Sequence, residues 1–156
     1  MEKTVYIAPN ATVVGDVVLE KSVNIWYGAV LRGDSGTISV KEGSNIQDNC
    51  VIHEKTTIGP YCTVGHGAIL HGCTLGAGCL IGMGAIVLDG AELGEGCLVG
   101  AGALVTGKTR AEPGSLLLGS PAKVVKKLTP EQIRTHYENA DHYILLAAEA
   151  FGGEGR

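Results

Sequence analysis

The chain is written in sixes. Cut at its recurrent aliphatic residues, it reads IAPNAT, VVGDVV, LEKSVN, IWYGAV, then IQDNCV, IHEKTT, IGPYCT, VGHGAI. A five-residue block, LHGCT, is followed by LGAGCL, IGMGAI, VLDGAE, LGEGCL, VGAGAL and VTGKTR, so the repeat covers roughly residues 7–110. Position one of each block is Leu, Ile or Val almost without exception. Position two is often Gly, and position five is Ala, Cys, Thr, Ser or Val. Neither the helical period of 3.6 nor the strand period of 2 accounts for a repeat of six. A coil with three short flat faces does: each hexad supplies one face and one corner, and three hexads close a triangular rung of eighteen residues. Positions one and five then point into a narrow prism that holds one large and one small side chain per face. Glycine suits the corners, where the backbone takes angles that other residues resist. Rungs stack through parallel strand hydrogen bonds about 4.8 Å apart, and each touches only its neighbours. The fold class expected is an all-β solenoid, a parallel β-helix.

Two irregularities interrupt the count. Fifteen residues separate Leu31 from Ile46 where two hexads would use twelve, so three extra residues are expected to bulge around SGTISVKEGS. The short block at 70–74 removes one residue at a corner. The repeat also sorts the cysteines: Cys62, Cys79 and Cys97 take position five of one face on successive rungs, and Cys50 takes another position five, which predicts buried core residues. Five cysteines are an odd number for a disulfide framework, and the start of the chain carries neither a basic nor an apolar leader segment, so a cytoplasmic location is expected. No apolar run reaches the ~20 residues that span a bilayer. With a net charge of −4 and scattered Lys and Arg, nucleic acid is not expected as a partner either.

The end of the chain changes character. LTPEQIRTHYENADHYILLAAEAF opens with Thr129 as N-cap, Pro130 at the first helical position and Gln132 at the third. Ile133, Tyr137, Ala140, Ile144, Ala147 and Phe151 recur at helical spacing. The division predicted is therefore a β-helix over 1–128, with GSPAKVVKKL as its exit, and an amphipathic helix and tail over 129–156 that packs along the prism or on a neighbouring subunit.

The eighteen-residue rung gives the histidines a geometry. His53 and His71 are eighteen apart, both at position two, and should stack on one edge about 4.8 Å apart, close enough to converge on one ion. Arg32 joins their column, twenty-one residues before His53, once the three-residue insertion is counted. His66 sits at the preceding corner, with Asp48 one rung before it in the same column. Five residues of straight strand span on the order of 16 Å, so one ion cannot bind His66 and His71 of the same chain. Either His66 is unrelated, or it reaches a site on another subunit.

NIWYGAVLRGD, SNIQDNCVIH and VGHGAILHGC resemble the signature segments of the γ-class carbonic anhydrase family, within the hexapeptide-repeat superfamily. The resemblance extends over nearly the whole chain. It implies a left-handed β-helix, a homotrimer, and a divalent ion (Zn²⁺, alternatively Fe²⁺ or Co²⁺) between subunits, held by residues matching His53 and His71 of one chain and His66 of the next. By the same resemblance Arg32 matches an interface arginine that pairs with an aspartate matching Asp48, and Asp34 matches a further acidic position. Gln47 matches a glutamine that hydrogen-bonds metal-bound water or bicarbonate, and Asn45 a polar residue lining the pocket. The reaction implied is attack of a metal-bound hydroxide on CO2 to give bicarbonate. The chain departs from active members in lacking their acidic loop with its glutamate proton shuttle. Ser35 follows Asp34 where glutamate is often found, and Glu54 is nearby but out of register. His136, Tyr137, His142 and Tyr143 are substitutes as proton carriers, although the polar face of the helix is expected to leave them at the surface. Two other classes share the hexads: a CoA-dependent acyltransferase or thioesterase, and a metal-binding trimer without catalysis.

Overall fold

The computed structural model describes residues 4–152; the ends of both predicted segments, 1–3 and 153–156, lie outside the described residues. The chain winds as a β-solenoid of about six turns with three flat faces, a left-handed parallel β-helix of hexapeptide repeats. The first face stacks Tyr6–Ile7, Asn24–Ile25, Asn45–Ile46, Thr63–Val64, Leu80–Ile81, Leu98–Val99 and Ser115–Gly119. The second face carries Val51–His53, Ile69–His71, Ile86–Val87 and Leu104–Val105; the third carries Thr56–Ile58, Thr74–Leu75, Glu92–Leu93 and Arg110–Ala111. Two longer strands, Thr12–Leu19 and Val30–Val40, turn the corner from second to third face without a break.

Register dates each irregularity. Rungs pair at an offset of eighteen (Tyr6 with Asn24, Asn45 with Thr63, Ile86 with Leu104). The offset becomes twenty-one at Val17–Ile38 and at Arg32–His53, while Gly15–Gly33 is still eighteen. The insertion therefore lies in residues 34–37, at the front of the segment expected to bulge. The offset falls to seventeen at Thr57–Thr74 after eighteen at His53–His71, which puts the deletion immediately beyond His71.

Positions one and five fill the interior. Ile46, Cys50, Ile52, Ile58, Cys62, Val64, Ala68 and Leu70 are fully buried, and the pattern continues to Val105. A fully buried Leu or Ile contributes about 1.5–3 kcal/mol, and the alternating small residue leaves space for it. The cysteines belong to this core. All five are free and buried, and Cys50, Cys62, Cys79 and Cys97 donate their thiols to carbonyls of the next rung: Gly65, Gly76, Gly94 and Glu112. Burial pushes the Cys50 thiol up to about 11 and that of Cys73 to about 12.

The glycines divide into two roles, where the hexad pattern suggested one. The left-handed backbone falls on position four, as at Gly84 with φ +69°. At position two the reason is proximity: a Cβ on Gly82 would lie 2.5 Å from the amide nitrogen of Ala101 on the next rung.

After the last rung, Ser115–Gly119 folds back on Ala122–Lys127 as an antiparallel hairpin, which the exit segment did not advertise. Helix α1, Pro130–Phe151, follows with the expected capping box: Thr129 Oγ1 accepts from the Gln132 amide, and Gln132 Oε1 from the Thr129 amide. It runs back along the first face. Ile133 covers the corners at Gly96 and Gly114, Asn139 donates to Thr63, and Tyr143 and Phe151 pack edge-on against Trp26. Among the described residues no helix is long and apolar enough to cross a membrane.

Candidate metal centre

The edge between second and third faces brings together Arg32, Asp34, His53, Glu54, His71 and Asp89. His53 and His71 are register partners on adjacent strands, and their rings lie 5.1 Å apart at 65°. His53 Nδ1 faces His71 Nε2 at 3.2 Å. The outer nitrogens are both taken. His53 Nε2 lies 2.8 Å from Asp34 Oδ1, and His71 Nδ1 bonds the carboxylate of Asp89.

These partners fix the tautomers. A carboxylate only accepts, so the nitrogen beside it carries the proton. Arg32 Nη2 also approaches His53 Nε2, at 3.1 Å, but a guanidinium only donates, and Asp34 is the nearer partner. Arg32 instead reaches the carboxylate of Asp34, with Nε 3.5 Å from Oδ2. The hydrogen bond from His53, helped by Arg32, holds the Asp34 carboxyl below its ordinary value. In the neutral forms that bind a metal, each ring aims a lone pair at the other across 3.2 Å. Two lone pairs at that distance repel unless a cation lies between them. Two nitrogens sharing one tetrahedral zinc at ~2.0–2.1 Å are about 3.3–3.4 Å apart, so the pair fits a divalent ion with little movement.

Glu54 belongs to this edge as well, although its register argued against it. Its Oε1 is 3.9 Å from His53 Nδ1, and the ligand atoms of His53, Glu54 and His71 all lie within 4.8 Å of one another. Glu54 has φ 60°, a left-handed residue that is not glycine, at a corner where the next rung uses Gly72 with φ 70°. Asp89 escaped the sequence reading too. Counting does not find it: beyond the deletion Leu70 pairs with Val87, so Leu88 falls against His71 and Asp89 stands one place on, at the corner over Gly72.

The remaining expected residues gather at the corner between first and second faces. His66 Nδ1 lies 2.9 Å from Asp48 Oδ1, as their shared column predicted. Gln47, nearly buried, donates to Asn45 Oδ1 at 3.1 Å, and fully buried Asn45 donates to Thr63 Oγ1 at 2.9 Å. Gln47 and His66 border a groove of about 410 Å³ whose floor is apolar, with Leu80, Met83 and Leu98, and whose far wall includes Asn139 of α1. Within one chain, His66 and the His53–His71 pair thus stand at different corners of the prism. The Asp48 carboxylate is paired with His66 and the Arg32 guanidinium with Asp34, so these two are not each other's partners within the chain.

The helix residues considered as proton carriers line the first face. His136 corrects the surface expectation: it is 3% exposed, its Nδ1 donates to the Gly78 carbonyl at 2.9 Å, and burial lowers its pKa. Tyr137 donates to Glu95, and Tyr143 is half-buried against Trp26, its pKa raised by burial and then by the Asp48 charge. His142 is exposed. None of the four stands on the His53–His71 edge.

Comparison with known proteins adds four findings. The family described as "Bacterial transferase hexapeptide (six repeats)" matches residues 72–107. A "Probable carbonic anhydrase" of Methanocaldococcus jannaschii is 48% identical over 151 residues, covering 94% of this chain and 95% of that protein. The "Gamma carbonic anhydrase 2, mitochondrial" of Arabidopsis thaliana is 45% identical over 157 residues, and there the match covers 94% of this chain but 56% of the plant protein. Among solved structures, a hexapeptide transferase family protein from Anaplasma phagocytophilum superposes with a TM-score of 0.91 at 45% identity, covering 95% of this chain and 90% of that one.

Proposed function

Because the chain belongs to the γ-class carbonic anhydrase family of hexapeptide-repeat proteins, we propose that it catalyses the reversible hydration of CO2 to bicarbonate at a divalent metal site shared between copies of itself. The observation that carries this reading is the facing pair His53 Nδ1 and His71 Nε2, 3.2 Å apart with both outer nitrogens on carboxylates. His53 and His71 would hold the ion from one chain and His66 from a neighbour, in a homotrimer. Zinc is the ion we favour, with iron(II) or cobalt(II) as alternatives, and five free, buried cysteines suit a reducing compartment such as the cytoplasm.

When bound, such an ion supplies Lewis acidity that brings the pKa of water from 15.7 toward ~7. The chain's own residues do the rest. Asp34 and Asp89 keep the protons on the outer ring nitrogens. Arg32 holds Asp34 in place. Gln47, fixed by Asn45, offers its amide to the small oxygenated substrate, and Asp48 orients His66. Glu54, half-buried beside His53 Nδ1, is the carboxylate of this edge placed to accept a proton.

The experiment is complementation. His53→Ala and His71→Ala should each abolish stoichiometric metal binding in protein purified without oxygen. Mixing His66→Ala chains with His71→Ala chains should restore part of it, because a mixed trimer contains interfaces with both halves intact. Verified heterotrimers with no restored metal would sink the shared site. Metal present with CO2 hydration absent under both zinc and iron, and turnover of acetyl-CoA instead, would favour the thioesterase or acyltransferase class.

A further inference from the structure

His53 and His71 are held from opposite sides. Asp34, which grips His53, comes from the three-residue insertion on the rung above. Asp89, which grips His71 Nδ1, comes from the corner of the rung below. Space for that carboxylate depends on Gly72, the residue after His71. A Cβ there would lie 2.7 Å from Asp89 Oδ2 and 2.9 Å from its Cγ. The carboxylate lies directly over that glycine corner, and its side chain remains 61% exposed, so interior packing does not explain its presence.

We propose that Asp89 is a positioning residue for the metal centre: it fixes His71 as the Nδ1–H tautomer and so aims the Nε2 lone pair at the ion. The inference rests on the metal site proposed above. Which imidazole nitrogen binds a metal is set by the bond the other one makes, and removing such a carboxylate typically weakens metal binding 10–100-fold. Asp89 touches neither ion nor substrate; it acts through the ring.

The test has two arms on the full chain. In ¹⁵N-labelled apo protein, long-range ¹H–¹⁵N correlation spectra should show His71 protonated at Nδ1, and in Asp89→Ala the ring should go over to the Nε2–H form. Competition with a chelator should show Zn²⁺ bound about 10–100-fold more weakly by Asp89→Ala, while Asp89→Asn, which keeps an acceptor oxygen, falls between that variant and wild type. Should Asp89→Ala fold poorly, Asp89→Leu, which keeps the branched shape and has no acceptor, carries both arms. An unchanged His71 tautomer, or wild-type zinc affinity in a folded variant, overturns the proposal. A wild-type chain that binds no zinc overturns the metal reading instead, and the tautomer arm then decides by itself whether Asp89 orients His71.

Discussion

At the scale of single residues, the edge around His53 is kept against local preference. A non-glycine residue in the left-handed region costs roughly 1–2 kcal/mol, and Glu54 pays it at a corner where the following rung has glycine. Strain of this kind clusters at functional sites. Glu54→Gly is therefore expected to raise stability by up to about 1 kcal/mol in urea unfolding while weakening CO2 hydration. A variant that loses stability and keeps full activity would contradict that assignment. Much of the geometry was readable in the sequence: once the rung was set at eighteen residues, the stacking of His53 on His71 and of Asp48 above His66 followed by counting. Asp89 and Glu54 were not, because each reaches its histidine from a corner, and a column-by-column reading does not say which way a corner side chain swings.

At the scale of elements, the helix was legible as an element but not in all its contacts. Its cap, start and apolar stripe stood in the sequence. The stripe that is actually buried includes His136, four residues before Ala140 and on the same side, and a polar residue type hid that. The consequence is a pH dependence. Burial lowers the folded-state pKa of His136 below its ordinary 6.5. The unfolded chain then binds the proton more readily, so stability from this residue is complete above pH 6.5 and is lost as pH falls through the lower folded value. Unfolding free energies measured at pH 7.5 and 5.5 should drop more for wild type than for His136→Asn, which can still donate to the Gly78 carbonyl. An equal drop would assign the acid sensitivity elsewhere. The terminal hairpin had no comparable sequence signal, since a strand that pairs antiparallel with the last rung breaks the very repeat that identified the others.

At the scale of the whole molecule, the shared site proposed above asks for more than one chain, because His66 and the His53–His71 pair lie at different corners of one prism. Met83, 59% exposed, lies in the groove beside His66. In the assembly proposed here that corner meets a neighbour's His53–His71 edge. Met83→Glu is expected to shift the protein from trimer to monomer in analytical ultracentrifugation and to release its metal in the same step. A monomer that keeps a full complement of metal would show that each chain closes its own site.

The helix also measures the coil it lies on. Seven parallel strands stacked on the first face span about 29 Å, and 22 helical residues span about 33 Å. The two lengths are geared together: one more rung of eighteen residues lengthens the prism by about 4.8 Å and calls for about three more residues of helix at 1.5 Å each. Coils could be spliced in below Ile86 without touching the histidines, but only in proportion to that strut, so growth or shrinkage of this architecture has to be written at two distant places in the chain at once.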